Sequence, residues 1–144
     1  MSALLSPVLV AVFPRFTEAT RVVCDLLISN HMDGFAIGLA ETDEQMRLFR
    51  AGWPDAGAFP LLLLRCTEFD SVAIGIAAVN ELVHRSPPRH AAVLIADGPE
   101  AHGFQREGRA QWNREFAREI SATVLDVQVF EYSPTWATSP PRIR

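Results

Sequence analysis

Five apolar runs alternate with four segments of helical period along this chain, and that alternation limits the fold more than any other feature. The runs are "PVLVAVF" (7–13), "GFAIGLA" (34–40), "FPLLLL" (59–64), "AAVLIA" (91–96) and "VLDVQVFEY" (124–132). They read as strands, the first four buried on both faces. Between them, residues 18–30, 43–51, 68–85 and 104–122 carry the spacing of helices. Strands and helices in strict alternation imply a mostly parallel five-stranded sheet with helices on both faces, a three-layer α/β sandwich.

A chain of 144 residues, 49% hydrophobic and 21% charged, suits one such domain. We place it at residues 1–132, followed by a proline-rich tail, "SPTWATSPPRIR" (133–144), in which Trp136 is the residue suited to docking. The apolar start "MSALLSPVLVAVFPRF" has no basic residue before Arg15 and no small-residue cleavage site, so it reads as a buried first strand and not as a leader. No apolar run is long enough to span a membrane, and no membrane association is expected.

The net charge of −4 comes from 17 acids and 13 bases, and the bases are spread along the chain with no basic cluster. Nucleic acid is not an expected partner. Every base is arginine, which excludes a Schiff-base or phosphate-loop lysine. The two cysteines, Cys24 and Cys66, form no disulfide frame and fit a reducing cytoplasm.

Helix starts follow one grammar: a strand, a short turn, then a threonine with an acid or amide close behind. Thr17, Thr42 and Thr67 are the expected caps, with Thr42 and Gln45 forming a capping box and Thr67 and Asp70 a looser one. The third helix stands apart, because "SVAIGIAAV" is apolar on every side. Such a helix is expected to be buried all round, inside the domain or in a self-association surface near Ser71–Val79. Gly75, Ala73, Ala77 and Ala78 leave room for a close neighbour. In the fourth helix, Trp112, Phe116 and Ile120 form an ordinary core stripe.

In open α/β sheets, ligands bind beyond the carboxyl ends of the strands, where strand order reverses. The polar residues there are Arg15, Glu41, Arg65 with Cys66, Asp97, and Glu131 with Ser133. A Rossmann-like or a flavodoxin-like strand order fits the alternation. With the flavodoxin-like order, the first and third strands would be neighbours, and Arg15 and Arg65 with two helix starts would form a site for a small anion. The plainer reading pairs these arginines with Glu18, Glu41 or Glu68. Neither "FPRFTEAT" nor "ADGPEAHG" has the spacing of a glycine-rich phosphate loop. His31, His84, His90 and His102 are scattered, so no metal and no cofactor is implied.

Cys66 precedes a capping threonine, where the helix dipole and Arg65 favour a thiolate; it is the candidate catalytic nucleophile, against the reading of a small buried side chain. The stretch "CTEFDSVAIGIAAVNELVHRSPPRHAAVLIADGPE" (66–100) resembles that part of thiolases and β-ketoacyl synthases in which a cysteine opens a buried helix. That resemblance implies an acyl-accepting role for Cys66. The family's histidines come from a second half-domain, and its small residues after the cysteine are here Thr67, Glu68 and Phe69. "GFAIGLAETDEQMRLF" is similar to the second strand and helix of response-regulator receivers. A phosphate-accepting switch is excluded, because Pro14-Arg15 and Arg65-Cys66 stand where receivers need acids. Neither resemblance amounts to family membership. The sequence leads to a non-catalytic, homo-oligomeric binding or assembly module. The alternatives are an enzyme or degenerate enzyme subunit using Cys66, or a regulatory domain binding a small anion.

Overall fold

The computed structural model describes residues 8–29, 34–53, 60–67, 69–85, 91–96, 104–123 and 127–131. Strands and helices alternate: β1 (Val8–Phe13), α1 (Glu18–Ser29), β2 (Gly34–Ala40), α2 (Asp43–Gly52), β3 (Leu61–Arg65), α3 (Ser71–Arg85), β4 (Ala91–Ile95), α4 (Phe104–Thr123) and β5 (Val127–Glu131). The chain is an α/β fold with four helices and a parallel sheet, in the order β3-β2-β1-β4-β5. Val10 lies opposite Phe35 of β2 and Val93 of β4, which makes β1 the strand on which the sheet is built. Among the described residues, no helix is long and apolar enough to cross a membrane.

Because side chains alternate along a strand, β1 feeds two cores. Leu9, Ala11 and Phe13 join Val23 and Leu27 of α1 and Phe49 of α2. Val10 and Val12 join Ala78, Val79 and Leu82 of α3, and Phe116 and Ile120 of α4. All five side chains from Leu9 to Phe13 are buried, as an apolar run without alternation requires. Close approach is built into the sheet at Gly34, where a Cβ would sit on the carbonyl oxygen of Leu9 in the neighbouring strand.

Two expectations are corrected. The leucine run of β3 is not covered on both faces: it is the edge strand beside β2, and Leu62 remains 41% exposed. Nor is α3 buried all round within the domain, which corrects that alternative and leaves the self-association surface as the other. Ser71, Gly75, Ala78, Val79 and Leu82 face the core, whereas Ala73 and Ala77 are exposed and Ile74 and Ile76 are half-buried. The reason is width. Two helices side by side cover about 20 Å, and five strands at about 4.8 Å spacing need more than that. α3 packs over β1 and β2, and α4 reaches β5, which leaves Leu62 exposed on the α3-side face of β3 while Leu64 on that face is half-buried against the core.

The fourth helix behaves as its stripe implies. Phe116 and Ile120 are buried, and Trp112 stacks on Phe116 with ring centroids 5.0 Å apart. The indole N–H of Trp112 donates to the hydroxyl of Ser71 at 2.8 Å, which ties α4 to the first residue of α3. At Gly75 the close neighbour is a ring and not a backbone, since a Cβ there would lie 2.9 Å from Phe116.

Candidate functional site

The order β3-β2-β1-β4-β5 puts the reversal between β1 and β4. This is the Rossmann-type half-order, and the flavodoxin-like alternative is corrected. β2 now separates β1 from β3, so Arg15 and Arg65 are not neighbours across the crevice as that alternative required. One wall of the crevice is the turn Pro14–Thr17. The other wall is described as far as Ala96; Asp97, next in sequence, lies outside the described residues, as do Ser133, the Trp136 tail, His31, His90 and His102. The side chains of His84 and Glu131 also lie outside them.

The donors of the first turn are already engaged. The backbone N–H of Phe16 donates to the side-chain oxygen of Gln45 at 2.6 Å, and that of Thr17 to the hydroxyl of Thr20 at 3.0 Å. The Thr20 hydroxyl in turn donates to the carbonyl of Arg15 at 3.4 Å. Phe16 packs edge-on against Phe49 and lies under the guanidinium of Arg21, 5.5 Å from its ring centre. A phosphate-binding turn needs free N–H groups and close access. Here an aromatic side chain and two internal acceptors occupy that position.

The starts of α2 and α3 are also closed by their own side chains. Thr42 accepts the N–H of Gln45 at 3.1 Å, as a cap should. The Gln45 side-chain oxygen, which the expected box would turn back to Thr42, accepts instead from Phe16. At the third start the exchange is reciprocal: Asp70 accepts the N–H of Thr67 at 2.7 Å, and Thr67 accepts those of Phe69 and Asp70 at 3.3 Å. Helix α3 proper then begins at Ser71. A carboxylate already sits where an anion would bind.

Arg65 donates to Asp43, the first residue of α2, at 2.7 Å across the surface; Glu68 and the side chain of Glu18, two of the expected partners, lie outside the described residues. The side chain of Arg15 is half-buried, and Glu41 is exposed. Cys66 lies beyond β3 with its N–H on the carbonyl of Ala40 at 3.0 Å, and only 5% of it is exposed. Burial pushes its thiol up from an ordinary 9.0 to about 11, and the carboxylates of Glu41 and Asp70 push the same way. Arg65 and a backbone hydrogen bond at Ala40 oppose them without prevailing. Cys24 is likewise raised to about 11, by burial and then by Asp25. A helix start alone therefore does not make Cys66 a thiolate at neutral pH. Among the described residues, no group of three or more metal-ligating side chains comes together.

A different feature lies on the bare flank of the sheet. A groove of about 550 Å³ runs between β3 and α3, lined by Pro60, Leu62 and Leu64 on one side and by Ile74, Ala77 and Glu81 on the other. In the turn before α3, Phe69 is 91% exposed. The signal available in the sequence was an aromatic residue between Glu68 and Asp70, where no helical stripe calls for one.

No protein-family model, no curated protein and no solved structure matches this chain.

Proposed function

We propose that this chain is a non-catalytic binding or assembly module that associates with copies of itself through α3. The observation that carries the reading is the bare flank, an apolar groove beside exposed Ala73 and Ala77 on a helix whose opposite side is fully packed. Contiguous exposed apolar surface on a small domain marks an interaction site. The self-capped helix starts and the raised thiol of Cys66 weigh in the same direction, since they occupy the groups that an anion site or a nucleophile would use. In this reading residues 1–132 are one three-layer domain on a five-stranded sheet, working in the reducing cytoplasm, with 133–144 as an appended arm.

Sedimentation of the full chain from about 10 to about 500 µM, the range in which small interfaces associate, tests the reading. A mass that rises above the monomer with concentration is the expected result. A monomer throughout overturns it.

A further inference from the structure

The chain has three tryptophans, and two of them are built into the domain. Trp53 packs edge-on against Phe13, while Trp112 stacks on Phe116 and donates to Ser71. The third, Trp136, follows the last strand in sequence. We infer that Trp136 of one copy of this chain seats in the groove between β3 and α3 of another copy. This rests on the self-assembly reading above and names what fills the groove.

The groove sets the chemistry of its occupant. Leu62, Leu64, Ile74 and Ala77 give it apolar walls, and Glu81 is the one charged residue among the described residues that line it. A carboxylate accepts hydrogen bonds, and an indole donates one while accepting none, so a tryptophan suits both the walls and the acid. It also buries about 150–250 Å², the most that a single side chain can bring to a small contact.

Distance decides whose groove it is. Leu62 lies opposite Ile37, Ile37 opposite Val12, Val12 opposite Ile95 and Ile95 opposite Glu131, so the end of β5 is level with the groove. Four strand spacings put Glu131 about 19 Å from Leu62 in a straight line. That line is closed on the groove side, where α3 and α4 pack on the sheet between the two edges. A path over helices about 10 Å thick, or around the ends of the strands, exceeds about 30 Å. From Glu131 to Trp136 is five residues, about 18 Å at full extension. Trp136 therefore cannot enter the groove of its own chain, and the groove it fills belongs to a neighbour.

The arm leaves one edge of the sheet and the groove opens at the other. One copy can give and receive at the same time, so the contact is head-to-tail and adds copies in a row or a ring. A contact anchored by one side chain is weak, and the assembly is concentration-dependent.

Sedimentation equilibrium of the 144-residue chain up to about 500 µM, compared with Trp136→Ala and Leu62→Asp, tests this. Circular dichroism checks that each variant is folded, and Ala77→Arg, on the exposed side of α3, replaces Leu62→Asp if that variant is not. Each variant alone is expected to associate at least about tenfold more weakly than the parent chain. Mixed in equal amounts they are expected to pair and to stop at two, because Leu62→Asp still carries the arm and Trp136→Ala still carries the groove. A parent chain that is monomeric at every concentration overturns both this inference and the assembly reading. Self-association that Trp136→Ala leaves unchanged overturns the arm exchange alone and leaves assembly through another surface standing. Two monomeric variants that fail to pair when mixed also overturn the exchange.

Discussion

The side-chain oxygen of Gln45, in the first turn of α2, accepts the backbone N–H of Phe16, in the turn after β1, at 2.6 Å. One amide thus fastens the turn at the head of the central strand to a helix two elements later. Thr42 holds the other end of the same residue by taking its backbone N–H.

Removing that acceptor leaves a partly buried N–H without its partner. Gln45→Leu is expected to cost about 1–3 kcal/mol in urea unfolding, while Gln45→Glu, which keeps an oxygen in place, should cost less than half as much. Equal losses in the two variants would assign the effect to the helix start instead of to Phe16.

The two buried thiols give stability a defined alkaline limit. In the unfolded chain each ionises near 9, whereas the folded protein holds both protonated to about 11. Between those values the folded state binds more protons than the unfolded state, so stability falls as pH rises through this window. Each thiol accounts for up to about 2–3 kcal/mol, fully present below pH 9. Replacing Cys24 and Cys66 with serine or alanine should flatten the decline, as read by unfolding midpoints from pH 8 to 11. Iodoacetamide at pH 8 should label both cysteines slowly and at similar rates, accelerating on unfolding; fast selective labelling of Cys66 in the folded protein would restore the nucleophile reading.

The bond from Trp112 to Ser71 predicts a coupled pair. Ser71→Ala strands a half-buried indole N–H and is expected to cost about 1–2 kcal/mol. In Trp112→Phe the donor is gone while an aromatic ring remains to stack on Phe116, so adding Ser71→Ala to that background should cost little. The coupling is measured by a double-mutant cycle in chemical denaturation, and simple additivity would show that the hydrogen bond contributes nothing.

What the sequence disclosed follows from the range of each signal. Aliphatic runs and four-residue spacing are local, so β1 to β4 and α1 to α4 lie within a few residues of where the pattern puts them. Strand order is not local. It depends on the side to which each crossover turns, and the expected meeting of Arg15 and Arg65 was tied to one of two orders. The position of Cys66 before a helix was legible, but its acidic surroundings were not, because Glu41 reaches it from the end of a different strand. Likewise "SVAIGIAAV" is apolar all round in any setting, and only the width of the sheet determines which side of that helix is left open.

The central place of β1 also sets a timetable for synthesis. β1 is made before the other described elements, yet the partner of Val8 on one side is Ala91. A growing chain can join β1 to β2 and β3 and cover one face with α1 and α2 while the ribosome is still working through α3. Until β4 emerges, β1 has β2 on one edge and an open edge on the other, so the growing chain depends on protection that its own later residues have yet to supply.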